Sequence, residues 1–589
     1  MRQSLTWIAL FVASANAAQV TFRVVAPGAS AVEVNIGGQL TPLTAADPTI
    51  PYFTGVAEAA DGAKYKYVAG GTAEAFDRTL EAGKASTYNE FINRPITYAN
   101  IPELPWPIEN KPQWTRSGAK QPLFDTNYIP TVFIDGNPSD LNALITSPHK
   151  SKYPVTLTWV LANEVRTFKN VSFGIHGAGK KKNNAKQSWN WRLASGETYQ
   201  NRDFFKLRHM EEDPTQIREK LWADASRAMG TFANEANMIR MFINGDGYGT
   251  FNLLDDITEY SYPSAMFYDG KPPAQMGALF DGASGASFQY FPDTLGYYSW
   301  VKNSASPEEI VAIGPLCEAW NKTVKTDDAQ IAEFGKQFDT DMFLRFMVME
   351  YLTGHWDGYW EMQTNDGVYR DPTDNNRWYY LGQDYDATFG VNIPSEDPLY
   401  IEWSYKQLET ANPNAVMIAG LLQNPTQRAT FEKYLVDTVK VLFNNVTLTN
   451  RVLKYHEFLL PDLEWDRSIT QRSPGINFGW TFNQVTENLW AGVSSPLGTG
   501  GGAEFGLIEW ISRKSEAVIK EFAITISPTP VGPPSTATQP PVPSGTSIET
   551  GTPPAPTDKP VPESAAGHVS PKGLATVALV GASLVALLF

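Results

Sequence analysis

Between Glu350 and Gly390 the chain passes from helix to loop to hairpin, and polar side chains gather at the joins. The preceding run Phe343–Leu352 is apolar in a helical pattern and breaks at Gly354. His355, Asp357 and Asn365 follow in a short polar loop. Two aromatic-rich strand segments then flank Arg370-Asp371-Pro372-Thr373-Asp374-Asn375-Asn376, which reads as a hairpin turn. The second segment, Arg377–Gly382, leads straight into Asp384 and Asp386. The stretch therefore brings carboxylates and a carboxamide to a place where a helix and a strand both end.

Such a set suits a hard divalent cation. Mg²⁺ takes oxygen ligands in a tight octahedron and shares them with phosphates. Phosphoryl transfer asks little more of a protein than that clamp and an Asp to orient the attacking hydroxyl. The order Asp357, Asn365, hairpin, Asp384 is the kinase order, with a wider gap between Asp357 and Asn365 than an ordinary kinase catalytic loop has. A solvated acidic loop followed by an Asp-rich turn would show the same spacing. So would a glycoside hydrolase pairing Asp357 or Glu361 with Asp384 and Asp386 across an open groove. Spacing alone leaves these readings open.

The two ends supply an address. Arg2, the apolar Leu5–Val12 and the small-x-small Ala15-Asn16-Ala17 form a signal peptide, residues 1–18, with cleavage expected near Ala17 or Ala18. Residues 526–563 are rich in Ser, Thr and Pro and nearly free of large apolar side chains, so they are expected to form an extended, O-glycosylated stalk. In residues 564–589, Ser564-Ala565-Ala566, a polar spacer and the apolar tail Leu574–Phe589 make a glycosylphosphatidylinositol (GPI) attachment signal, with Ser564 the expected site. A membrane-spanning helix fits less well, because the tail is short and no basic residue follows it. An exported, lipid-anchored surface protein is the expectation. Sequons at Asn170, Asn321 and Asn445 suit that route. The formal net charge of -16 argues against nonspecific nucleic-acid binding. The single cysteine, Cys317, rules out an intrachain disulfide framework and a cysteine metal site.

Between the ends, residues 19–94 alternate apolar and polar with Gly, Pro and Asp turns, the pattern of a small β-sandwich that resembles immunoglobulin-like and carbohydrate-binding modules but marks no ligand. Residues 95–124, rich in Pro and Trp, read as a linker. From residue 125 to 525 a sheet-rich half precedes a largely helical one, an α+β arrangement with two lobes. Strands are expected in TVFIDG, VTLTWVL, VSFGIHG and SWNWRL, and the Gly- and Lys-rich turn from His176 to Lys186 lies between the last two. That turn could approach a phosphate or be a solvated hairpin tip. A helix is expected to start at Asp213, as N-cap, and Pro214, with Ile217, Leu221 and Ala225 on its apolar face and Arg218 and Glu219 elsewhere. Asn244-Gly245 marks a tight hairpin.

The segment YRDPTDNNRWYYLGQDYDATFG resembles the spore-coat CotH family, most closely its cell-surface members from mucoralean fungi. Weaker signposts are the Gly-rich turn with lysines, Asp213-Pro214 with Arg218, and Ile243-Asn244-Gly245. The resemblance implies an atypical two-lobed protein-kinase-like fold that uses ATP and Mg²⁺ or Mn²⁺ to phosphorylate Ser or Thr, with a secreted Ser-rich protein as acceptor. It makes Asp357 the catalytic Asp, Asn365, Asp384 and Asp386 the metal set, and Lys186, Gly177 and Gly179 the nucleotide contacts, with Lys180, Lys181 and Lys182 as competing lysines. His176-Gly177-Ala178 stands where bacterial members have Arg-Gly-Asn, and Gln383-Asp384-Tyr385-Asp386 where they have Trp-Asp-x-Asp. The fungal surface members are regarded as invasins. By resemblance the partner would be a host-cell receptor of the chaperone or integrin class, met by the hairpin residues Arg370, Asp371, Asp374, Asn375, Asn376 and Arg377. Trp378, Tyr379 and Tyr380 would add anchors if exposed.

Overall fold

A computed structural model describes residues 17–108, 120–177 and 184–526, apart from Ala233, Ser284, Glu396 and residues 499–500. Residues 1–16, the stalk from Ser527 onward, Ser564, Gly179 and Lys180–Lys182 lie outside the described residues. Two compact units are present: residues up to Ala99 together with Thr158–Arg166, and the remainder.

The first unit is all β. Its strands are β1 (Ala18–Val25), β2 (Val32–Ile36), β3 (Gln39–Ala45), β4 (Tyr52–Ala59), β5 (Lys64–Ala69), β6 (Thr72–Ala73), β7 (Arg78–Thr79) and β8 (Glu90–Phe91). They follow one hydrogen-bonded path, β6-β5-β2-β3-β4-β1-β8, with β7 on β5. β3 pairs with β2 through Gln39–Leu43 and with β4 through Thr44 and Ala45, so one strand hands the sheet from one layer to the next. Strict alternation turns Val20, Phe22 and Val24 of β1 into a core shared with Val34, Tyr65 and Tyr67.

A closed barrel comes next in the chain. Its strands are β9 (Thr131–Gly136), β10 (Tyr153–Val160), β11 (Val165–Ile175), β12 (Trp189–Arg192), β13 (Phe204–Arg208), β14 (Ala236–Ile243) and β15 (Asp246–Leu254), in the order β10-β11-β12-β13-β15-β14-β9. β9 runs parallel to β14, while the β11–β12, β12–β13, β13–β15 and β15–β14 pairings are antiparallel. The β14–β15 hairpin turns on Asn244 and Gly245, both at positive φ, as a two-residue loop requires.

The helix after the barrel's fifth strand departs from expectation. It spans Arg218–Ala228, not from Asp213, and every residue in it except Arg227 is buried. Residues 213–217 instead form a turn in which the Asp213 carboxylate accepts the N–H groups of Thr215, Ile217 and Arg218. Asp213 thus satisfies the orphan donors of the first helical turn from five residues upstream. The amphipathic pattern misled because Arg218, Glu219 and Lys220 all have buried charged partners.

A second antiparallel sheet follows, with β16 (Leu279–Gly282), β17 (Trp300–Lys302), β18 (Asp366–Asp371) and β19 (Arg377–Gly382) in the order β17-β16-β18-β19. Helices occupy most of the rest, the longest being Thr447–Ser468, Pro425–Val441 and Leu507–Phe522. The helix Thr340–Thr353 is buried from Phe343 to its end and stops at Gly354. Gly354 is left-handed at φ 61, and a Cβ there would lie 2.4 Å from the Trp510 ring, so glycine is required on both counts. Buried ion pairs join the barrel to the Thr447–Ser468 helix: Arg240 binds both oxygens of Asp462 at 2.6 and 2.7 Å, and Lys186 meets Asp466 at 2.6 Å. The fold class is mixed α+β, sheet-rich first and helical later. No helix among the described residues is long and apolar enough to cross a membrane.

Candidate metal and phosphate centre

Three chain segments converge on one point. The loop after β19 carries Asp384 and Asp386, the buried helix Arg218–Ala228 carries Glu219, and one oxygen from each of these carboxylates lies within 4.8 Å of the others. β13 stands behind them. Its Arg208 guanidinium is 3.0 Å from Asp384 and also binds Asp386. Lys206 sits two residues earlier, on the same face of the strand. The backbone is left-handed at Gln363, Asn365, Asp384 and Phe389, a concentration of sparsely populated conformations at the loops that deliver the polar groups.

Electrostatics tie the group together. Burial pushes Glu219 up to about 8, with Asp386 and Asp384 adding to the effect. Burial and Asp384 likewise raise Asp386, against the pull of Arg208. Asp384 alone is held below the usual carboxylate range: burial opposes ionisation there, but Arg208, Lys206 and His176 outweigh it. Lys206, although buried, keeps its proton because Asp256, Asp384, Glu219 and Asp386 face it. Glu219 Oε2 accepts the Tyr385 N–H at 2.7 Å, and its Oε1 has no hydrogen-bond partner among the described residues. Three convergent carboxylates with an orphaned oxygen fit a divalent cation, which would neutralise the set and accept that oxygen as ligand.

Asp357 lies beside this group, near enough that Asp384 and Asp386 raise its pKa after burial has done so. Its Oδ1 is 3.3 Å from His355 Nε2, and its Oδ2 accepts the Asn365 amide at 2.8 Å. Burial would lower His355, yet Asp357, Glu350 and Asp384 lift it to about 9, so it faces Asp357 as a cation.

Of the residues expected from sequence, Asp357, Asn365, Asp384 and Asp386 come together, and Gly177, in the turn after β11, is left-handed at φ 62. His176, next to it, is held neutral by burial together with Lys206 and Arg208 while feeling Asp384. Asn365 donates its amide N–H to Asp357, a bond that does not use its Oδ1, and Glu219 joins Asp384 and Asp386 as a third carboxylate. Two expectations need correction. Lys186 is committed to Asp466, a carboxylate buried on the long helix that also lies 3.4 Å from Arg467; the cations facing the acids are Lys206 and Arg208. Asp371 points inward, accepting from the Tyr268 hydroxyl at 2.7 Å and from Thr373, so it cannot meet a partner protein. Trp378, Tyr379 and Tyr380 are buried strand residues.

What the hairpin exposes is its turn. Thr373, Asn375 and Asn376 are exposed, Asp374 half-buried, Arg370 held by Glu308 at 2.8 Å, and Arg377 3.4 Å from Asp339. Asn170, Asn321 and Asn445 are all exposed. Glu361 accepts the Tyr400 hydroxyl and stands outside the carboxylate cluster, which disfavours the hydrolase pairing. Glu219, Lys206 and Arg208 were not singled out as site residues from sequence, and His355 was placed in the polar loop without a role. A weak signal existed for two of them, since Phe-Phe-Lys-Leu-Arg places two cations on one face of an otherwise apolar strand.

Comparison with known proteins bears on this arrangement. Residues 173–489 match the family described as CotH kinase protein. The chain is 60% identical over 539 residues to the protein named Invasin CotH3 of Rhizopus delemar, covering 91% of this chain and 90% of that protein. The chain belongs to the CotH family. Invasin CotH2 of the same fungus is 59% identical over 541 residues, with 91% and 89% covered. The Inner spore coat protein H of Bacillus subtilis is 24% identical over 260 residues, spanning 42% of this chain and 66% of that one. The CotH match takes in β12 to β19 and every member of the acidic centre, while β1 to β8 lie outside it.

Proposed function

We propose that this CotH protein is a GPI-anchored cell-surface invasin whose folded body is an atypical protein-kinase scaffold with a metal and nucleotide site. The observation that carries the site is the convergence of Glu219, Asp384 and Asp386 in front of Lys206 and Arg208. In this reading the three carboxylates hold Mg²⁺ or Mn²⁺, which neutralises phosphate charge and aligns it for transfer. Lys206 and Arg208 offer fixed positive charge to the same phosphates, a place assigned to Lys206 instead of Lys186. Gly177 lets the backbone approach them. Asp357, oriented by His355 and Asn365, accepts the proton of an incoming Ser or Thr hydroxyl.

The test uses the purified protein with Mn²⁺ and ATP. The thermal midpoint is expected to rise, by the equivalent of about 2.7 kcal/mol at a hundredfold excess over Kd. Label from γ-labelled ATP is expected in the protein or in a Ser-rich or acidic protein, and both effects should vanish in Asp384→Ala. Absence of a shift and of label would sink the nucleotide reading.

The adhesive role rests on different residues. The exposed Thr373, Asn375 and Asn376 support it, as do the names of the relatives, with a host-cell receptor of the chaperone or integrin class as partner. Exchanging residues 372–376 for a Gly/Ser turn is expected to reduce attachment of expressing cells to host cells several-fold, whereas Asp384→Ala leaves attachment unchanged. Equal attachment by the turn exchange would remove the hairpin from the contact.

A further inference from the structure

The barrel face beside the acidic centre carries a further cation. Phe173, Trp189, Trp191 and Phe205 pack ring against ring on one face of β11, β12 and β13. Alternation puts Gly174, Asn190 and Lys206 on the other face, and the register lines them up as one cross-strand row. His176 and Arg208 stand two residues further along from Gly174 and Lys206, and Arg208 reaches Asp384 and Asp386.

Lys152, just before β10, lies across that row. A Cβ at Gly174 would stand 2.7 Å from the lysine's Cδ and 2.8 Å from the Ser151 carbonyl, so glycine leaves the stem its path. The amine donates to Asn190 Oδ1, and Asn190 Nδ2 approaches His176 Nδ1 at 3.4 Å. His176 feels Lys206, Arg208, Asp384 and Lys152, which ties the lysine to the neighbourhood of the acidic centre. The other cations of this face have acidic partners. Arg192 is held by Asp203 and Glu259 at 2.7 and 2.6 Å, Arg208 by Asp384 and Asp386, and Lys206 faces Asp256, Asp384 and Glu219. Lys152 is exposed and makes no ion pair among the described residues. Crowding of its amine by protein lowers its pKa to about 8, with Glu259 opposing and Arg192 adding to the effect. An anion at that amine would supply both a charge partner and a hydrogen-bond acceptor.

We propose that Lys152 is a phosphate-binding residue of the nucleotide site, steered by Asn190 across the gap that Gly174 leaves. The assignment rests on the nucleotide reading of the acidic centre and adds to it a residue that precedes the CotH match at 173–489. Lys206 and Arg208 divide their charge between the carboxylates and a phosphate, whereas Lys152 has no carboxylate to share with. A lysine ammonium is a compact point charge on a flexible stem, suited to following a polyphosphate chain whose other end is held by the metal.

Isothermal titration of the purified protein and of Lys152→Met, both in Mn²⁺, tests it with ATP and with inorganic tripolyphosphate as probes. The variant is expected to bind each probe about tenfold more weakly, the lower end for a charge-assisted hydrogen bond, and to bind Mn²⁺ alone as the parent does. Methionine keeps an unbranched stem over Gly174 at an exposed position, so the thermal midpoint without metal should not move. Loss with ATP but not with tripolyphosphate would put Lys152 on the base or sugar and overturn the assignment. Equal binding of both probes by parent and variant would overturn it too, and leave the nucleotide reading standing. Weaker binding of Mn²⁺ alone by the variant would mark a structural role instead. If the parent in Mn²⁺ binds neither probe, the nucleotide reading falls and the assignment with it.

Discussion

Glu219→Gln is expected to weaken Mn²⁺ binding by about 10–100-fold or more while leaving the fold intact and raising the thermal midpoint of the metal-free protein. Glu219 supplies one of three carboxylates whose oxygens lie within 4.8 Å, and its Oε1 has no other partner among the described residues. Losing a supporting partner of a ligand costs about 10–100-fold in metal affinity, and losing a ligand should cost no less. The gain in stability has the opposite origin. Burial, with Asp386 and Asp384 behind it, pushes Glu219 up to about 8. A folded-state pKa above the unfolded one means the folded chain must retain a proton that the unfolded chain releases, so stability falls as pH rises from about 4.5 towards 8. Glutamine mimics the protonated carboxyl and removes that loss. At pH 7.5 the variant should therefore melt higher than the parent without metal and lower with it, the gap without metal closing near pH 5. A variant that binds Mn²⁺ like the parent would take Glu219 out of the site.

The largest loss of stability is expected from Arg218→Met, about 3–5 kcal/mol, the range for removing one partner of a buried ion pair. Arg218 is fully buried. Its guanidinium binds Asp213, the Asn488 side chain at 2.8 Å and the Phe505 carbonyl at 3.2 Å, and approaches the Phe389 carbonyl at 3.4 Å. One side chain thus links the turn before the helix, the loop that carries Asp384 and Asp386, and the entry to the last helix. Methionine keeps most of the volume but leaves the Asp213 charge buried with only backbone and Thr215 donors. Urea denaturation checks it, and the double variant with Asp213→Asn should recover part of the loss because the stranded charge is gone. A loss below about 1 kcal/mol would mean that the backbone donors alone satisfy Asp213.

How much of the centre could be read beforehand follows from the range of the forces involved. The helix end at Gly354, the β18–β19 hairpin and the delivery of Asp384 and Asp386 from Gly382 were legible, because each depends on neighbours a few residues away: a left-handed cap, a turn between aromatic strands, a strand end. The same holds for Asn244-Gly245 between β14 and β15. The Asp213 helix start was misread because Asp213 caps from a distance that no N-cap pattern anticipates. Lys186 was misassigned because its partner, Asp466, is 280 residues away.

Short-range chemistry in the chain was thus sufficient for the mixed α+β class, the hairpin and the acidic loop, since turn geometry, alternation and helix breaking are settled between near neighbours. Which charges meet was decided only by the folded chain. Arg218-Glu219-Lys220 has the composition of a solvated helix face, yet the helix is buried and Glu219 becomes the third carboxylate. The hairpin aromatics have the composition of contact anchors, yet they fill the core and leave the turn outside. A charge is tolerated inside a protein only where opposite charge or a cation meets it, and that meeting is a property of packed elements far apart in the chain.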